Sequence, residues 1–136
     1  MTDVFVDTSA LYAALDADDE HHGEASEGWA RLLDRIATGG LTAHTHSGVV
    51  VEVTALVQRR LGLDAARALH DRLLPVVEIR WLDQRLHERA LAALLAAGRR
   101  DASLVDWTSF ELMRELRIDQ AFAFDDDFAG QGFVSW

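Results

Sequence analysis

The chain has 136 residues, no cysteine, a net charge of −10 and thirteen basic residues, every one an arginine. That composition excludes disulfides, zinc–thiolate sites and thiol catalysis, along with any lysine-terminated phosphate loop or Schiff-base lysine. Its 49% hydrophobic and 26% charged content are ordinary for a globular protein, and the length suits a single domain over 1–136. Met1-Thr2-Asp3 offers no basic n-region, and no apolar run approaches ~18 residues. The expectation is a cytoplasmic protein without a secretion signal or a membrane span.

In chain order, residues 3–7 read as a short buried strand, apolar and β-branched, followed by a helix from Ala10 to about Ala17 that Thr8 or Ser9 can cap. An acidic stretch, Asp18 to Glu24, leads into a second helix with Ala30, Leu33 and Ala37 among its apolar positions, stopped by Gly39-Gly40. Leu41 to Ala43 is a weak strand. Thr45 or Ser47 opens a third helix, which runs to about Leu61 and stops at Gly62. A fourth spans Leu63 to Leu74 and ends at Pro75, the only proline. Val76 to Trp81 reads as a strand with Val77, Ile79 and Trp81 on one face. Helices over Leu82 to Ala97 and Ser103 to about Leu116 follow, then a strand over Ala121 to Phe124 and a short one at Phe133-Val134. Strands alternating with helices predict an α/β fold with a parallel sheet covered on both faces, whose ligands gather at the carboxyl ends of the strands.

Four carboxylates fall in costly places. Asp7 and Asp125 each end an apolar strand. Glu52 has Val49, Gly48, Ala55 and Leu56 as its helical neighbours, and Asp106 follows Leu104-Val105 on a face shared with Ser103, Ser109, Phe110 and Met113. Each has a structural reading: a cap for Asp7, a buried ion pair for Glu52, a helix-dipole partner for Asp106, a solvated turn for Asp125 within Asp125-Asp126-Asp127. Taken together they suggest one acidic pocket. Carboxylates brought together need a cation to stay ionised, and hard oxygen ligands favour Mg²⁺ or Mn²⁺ over zinc. Such a site suits phosphodiester hydrolysis.

The segment Val4-Phe5-Val6-Asp7-Thr8-Ser9-Ala10-Leu11 resembles the opening of PIN-domain ribonucleases, particularly the VapC-type toxins of toxin–antitoxin pairs. The family's second acid falls on Glu52 within Val50-Val51-Glu52-Val53, and its third on Asp106 within Ser103-Leu104-Val105-Asp106. Its C-terminal signature falls on Asp125-Asp126-Asp127-Phe128 with Gly132-Phe133. The resemblance covers the whole chain. It implies an α/β/α sandwich around a parallel sheet of four to five strands, and a Mg²⁺-dependent endoribonuclease (with Mn²⁺ as a substitute) that is the toxin of a type II pair. Asp7 and Asp106 would be the principal metal ligands, with Glu52 and Asp125 completing the catalytic set directly or through water. RNA would be the substrate, a cognate antitoxin the partner and a homodimer the usual assembly. One departure stands before Asp125, where many relatives carry Thr or Ser and this chain has Ala123-Phe124. The missing hydroxyl would have to come from Thr8 or Ser9, and Asp127 could assist or replace Asp125.

The charge of −10 opposes RNA binding unless the substrate follows local arginines, for which Arg59-Arg60 and Arg99-Arg100 are the candidates. An acidic pocket also suits an antitoxin that brings Arg or Lys into it. His44-x-His46 has no third ligand nearby, so a cap or surface role is expected. His21-His22 are expected to be solvated. Trp107, beside Asp106, is the best of four tryptophans for stacking a base. A calcium loop at Asp125-x-Asp127 fails because Ala129 and Trp136 occupy ligand positions. Phosphoryl-accepting receiver or dehalogenase folds fail for want of a lysine. The remaining alternative is a catalytically silent PIN domain that binds metal and RNA.

Overall fold

Val4, Phe5 and Val6 have no exposed surface, as befits the central strand of a sheet covered on both sides. A computed structural model of the chain describes residues 1–136. It contains β1 (Thr2–Val6), β2 (Leu41–His46), β3 (Val77–Arg80), β4 (Gln120–Phe122) and β5 (Val134–Ser135), joined in the order β3-β2-β1-β4-β5. All four pairings are parallel. The helices are α1 (Thr8–Leu15), α2 (His22–Ala37), α3 (Ser47–Leu61), α4 (Leu63–Ala68), α5 (Gln84–Ala97), α6 (Leu104–Leu116) and the short α7 (Asp127–Gly130). With the right-handed crossovers that parallel strands require, this strand order places α1 to α4 on one face and α5 to α7 on the other. Phe5 meets Phe128 of α7 at 6.0 Å between ring centroids, and Phe128 meets Phe110 of α6 edge-on at 5.1 Å.

From β1 the chain steps outward through β2 and β3, then crosses back to lay β4 on the opposite side of β1. The switch point therefore lies between β1 and β4, where a crevice opens at the carboxyl ends. Asp7 leaves β1 at that point, its N–H donating to Phe122 O at 3.0 Å.

Several local expectations are corrected. On α2 the buried residues are Ala25, Gly28 and Leu32, whereas Leu33 is exposed, as are Ala30 and Ala37. A small residue marks the inner stripe here, because a Cβ on Gly28 would stand 2.8 Å from the Phe122 ring. The helix after Gly62 does not run straight to Pro75. It passes from α4 into a π-helical turn, Leu69–Leu73, and a 3-10 turn, Leu74–Val76. Proline lacks an N–H and its ring clashes with the carbonyl four residues back, so the last regular turn widens. Strand β3 stops at Arg80, leaving Trp81 largely exposed. Strand β4 stops at Phe122, since the Phe124 amide leaves the ladder for a side chain. Helix α3 is capped by His46, not by Thr45 or Ser47, through Nδ1 accepting from the amides of Gly48 and Val49 at 3.0 and 3.3 Å.

Candidate functional site

Asp7 is 3% exposed and does cap a helix: its Oδ2 accepts from the Ser9 amide at 3.2 Å and the Ser9 hydroxyl at 2.7 Å. The Ser9 Oγ in turn accepts from the Phe124 amide at 2.9 Å. One hydroxyl thus ties the end of β1 to the segment that follows β4, at the switch point. It is one of the two residues expected to supply the hydroxyl that Ala123-Phe124 lacks. Burial pushes the Asp7 carboxyl up to about 7, against the Ser9 hydrogen bonds, with repulsion from Asp106 adding to the rise. Thr8 lines the same cleft, and its buried Oγ1 has no protein partner.

Asp106 sits in the first turn of α6 in a capping box: its Oδ2 accepts from the Ser103 amide at 2.9 Å, and Ser103 Oγ accepts from the Asp106 amide at 3.1 Å. Its carboxyl is also held above the usual range, mainly by burial and then by the charge of Asp125. Glu52 lies half-buried on α3 between the buried Val49 and Val53. Asp125 accepts from the Asp127 amide at 2.9 Å, a turn that points both carboxylates back toward α6. Carboxylate oxygens of Asp106, Asp125 and Asp127 all lie within 4.8 Å of one another. Asp127 is pushed up to about 6 by burial, then by its contact with Asp125 and the charges of Asp125, Asp106 and Asp101.

Asp7, Glu52, Asp106 and Asp125 line one open cleft of about 450 Å³. The tightest triad takes in Asp127 and leaves out both Asp7 and Glu52, so Asp106 stands between two groupings: Asp7 on the strand side, Asp125 and Asp127 on the loop side. Oxygen donors without sulfur, each repelling the next, are the chemistry a hard divalent cation requires.

Other residues around the cleft depart from expectation. His21 is not free in solvent; its ring stacks on Phe124 at 4.5 Å with a 6° interplanar angle, and both line the cleft. Nothing local in Glu20-His21-His22 signals a partner so distant in sequence. His22 donates through Nδ1 to Ala13 O at 2.7 Å. Trp107 is buried and packs edge-on against Phe110 at 5.3 Å, which removes it as a base-stacking surface. His44 meets Asp3 at 2.8 Å, near the other end of the sheet. His46 is fully buried, with Nε2–H donating to Ser109 Oγ at 2.9 Å, and burial pushes its pKa down to about 4. The two histidines make no metal pair. His46 instead bolts the start of α3, which carries Glu52, to α6, which carries Asp106.

Residues 4–133 match the family model of the PIN domain. The chain is 38% identical over 132 residues to the 23S rRNA-specific endonuclease VapC20 of Mycobacterium tuberculosis, covering 96% of this chain and 95% of that protein. The crystal structure of VapC20, a sarcin-ricin loop cleaving toxin, superposes with a TM-score of 0.83 at 36% identity over 96% of each chain. VapBC2 from Rickettsia felis, bound to a DNA fragment from its promoter, gives a TM-score of 0.67 at 12% identity over 99% of this chain and 98% of that one. FitAcB from Neisseria gonorrhoeae gives 0.67 at 13% identity over 98% and 96%. The last two share the fold alone. The parallel five-stranded sheet between helical layers, the acidic cleft at its switch point and the near full-length identity agree: the chain belongs to the PIN-domain family and, within it, to the VapC-type endoribonucleases.

Proposed function

We propose that the chain acts as a single PIN domain over residues 1–136, a Mg²⁺-dependent endoribonuclease (Mn²⁺ substituting) that hydrolyses ribosomal RNA as the toxin of a type II toxin–antitoxin pair. PIN-domain nucleases are divalent-metal enzymes, and the acidic cluster fits that requirement. The observation that carries the reading is the convergence of Asp7, Glu52, Asp106 and Asp125 on one cleft from four separate elements of the fold. Asp7 and Asp106 are the principal ligands, with Glu52, Asp125 and Asp127 completing the set.

A bound cation supplies positive charge that offsets the carboxylates, acidifies water and polarises the phosphoryl oxygen. The chain's own contribution is orientation. Ser9 and Ser103 each hold one Oδ2, so that Asp7 and Asp106 present Oδ1 free of protein donors. Glu52 accepts no protein hydrogen bond and can take a proton from attacking water at its carboxylate. Ribosomal RNA is the substrate class because VapC20, similar over nearly the whole chain, is named for it. An antitoxin is the proposed partner, a homodimer the proposed assembly and the cytoplasm the proposed location; no helix is long and apolar enough to cross a membrane.

The test is cleavage of 23S rRNA with and without Mg²⁺, using wild type and Asp7→Asn. Cleavage that needs Mg²⁺ and is lost in Asp7→Asn is the expected result. Unchanged cleavage in Asp7→Asn would sink the site assignment. Equal RNA binding without cleavage under any divalent metal would instead favour the silent binding domain.

A further inference from the structure

Five carboxylates line the cleft, Asp7, Asp19, Glu52, Asp106 and Asp125, and one guanidinium, that of Arg60. Glu52, Leu56 and Arg60 recur every fourth residue on α3, so all three face the cleft from one stripe. Two turns separate Arg60 from Glu52, about 12 Å along the helix axis at 1.5 Å per residue. The other arginines proposed to guide RNA are differently placed. Arg99 is bound to Asp101 at 2.5 Å and lies 3.9 Å from Asp127, while Arg59 and Arg100 are not part of the cleft lining.

Amid those acids Arg60 forms no salt bridge, its nearest charged neighbour being Asp16 across the Tyr12 hydroxyl. Its guanidinium lies 5.5 Å from the centroid of the Tyr12 ring, and the Tyr12 hydroxyl is held by donation to Asp16 at 2.7 Å. A guanidinium placed against an aromatic ring, with one edge toward the Tyr12 hydroxyl, still has donors left for a phosphate oxygen.

We propose that Arg60 is the phosphate anchor of the cleft, binding an RNA phosphate that flanks the scissile one, with Tyr12 holding the guanidinium in place. This rests on the cleft being an RNA-binding site. The distance from Glu52 makes Arg60 a residue that binds both ground and transition states, so its loss raises KM and leaves kcat near its wild-type value. It also gives a chain of net charge −10 one cation at the cleft, where the strand passes outside the metal's reach.

The experiment has two arms, each comparing Arg60→Ala with Arg35→Ala, which removes the same charge at the opposite end of β1, where Arg35 meets Thr2. In the first, steady-state cleavage of 23S rRNA fragments is expected to show KM raised about tenfold and kcat changed less than about twofold for Arg60→Ala only. In the second, fluorescence anisotropy measures binding of a single-stranded oligoribonucleotide to proteins that also carry Asp106→Asn and do not cut. Arg60→Ala should weaken binding about tenfold and lower the slope of log Kd against log salt by about 0.7. Arg60→Lys should fall between wild type and alanine. Arg60→Ala behaving like Arg35→Ala in both arms would overturn the anchor. If no protein cuts RNA yet binding depends on Arg60, the nuclease reading fails and the anchor stands.

Discussion

The two sides of the acidic cleft are built to different standards. On the strand side, Asp7 is almost fully buried, and one of its oxygens is fixed by two bonds to Ser9, itself locked to the Phe124 amide. On the loop side, Asp125, Asp126 and Asp127 follow one another, and two of the three direct carboxylates at Asp106. The strand side holds a single acid in one geometry at a large desolvation cost, whereas the loop side has a spare. An acid with no substitute, kept where it destabilises the chain, marks the position that function fixes. A redundant pair marks one that tolerates change.

Activity separates the two sides most strongly. Asp7→Asn and Asp106→Asn should each lower kcat on the order of 10²–10³-fold, the loss expected when one group of a preorganised electrostatic set is removed. Asp125→Asn and Asp127→Asn should each cost about tenfold, and the double variant far more than the sum of the two in free energy. Single-turnover RNA cleavage reads all four. A loss from Asp125→Asn alone as large as that from Asp7→Asn would mean that the loop side has no spare acid.

Stability against pH separates the two sides in the opposite sense. The Asp7 carboxyl is raised from 3.8 to about 7, so without metal the folded state binds more protons than the unfolded between those values. Stability from this group is full below pH 3.8 and is lost as pH rises through 7, by up to about 4 kcal/mol at 1.36 kcal/mol per unit. Asp106 and Asp127 act in the same sense. His46 opposes them: its pKa falls from 6.5 to about 4, so its contribution is present above 6.5 and lost as pH falls through 4. In EDTA the melting temperature should therefore fall between pH 6.5 and about 7.5, where Asp7 finishes ionising and His46 no longer offsets it, and level off above that. Asp7→Asn should raise it at pH 7.5 while destroying activity. A higher melting temperature for wild type than for Asp7→Asn under those conditions would contradict the assigned burial cost.

The smallest effect concerns the hydroxyl between the two sides. Ser9→Ala removes the donor to Asp7 and the acceptor of the Phe124 amide. It should cost about 1–3 kcal/mol in stability by leaving that amide unsatisfied, read by denaturant unfolding. Ser9→Thr should recover most of it. No change in Ser9→Ala would mean that the two sides are not coupled through this residue.

Much of this was legible in the residues themselves. Apolar runs ending in Asp7 and before Asp125, and Glu52 on the valine face of its helix, already placed acids at the carboxyl end of a parallel sheet. Turn chemistry marks Gly62 as the end of its helix, and it stands at positive φ in the structure. What pattern could not show was any contact between distant segments. His21 on Phe124, Ser9 under the Phe124 amide and His46 against Ser109 each pair side chains that only the folded chain brings together. The inner stripe of α2 escapes the hydrophobic pattern because its closest approach is made by Gly28, which carries no hydrophobic signal. The role of Asp127 is not set by pattern, since in a run of three acids only the turn decides which of them face Asp106.

The most direct test is where a cation sits. Crystals soaked with Mn²⁺ would locate it by anomalous scattering. A peak bonded to Oδ1 of both Asp7 and Asp106 at about 2 Å is expected, with Glu52 and Asp125 reaching it directly or through water. A peak held by Asp125 and Asp127 with Asp7 unligated would contradict it.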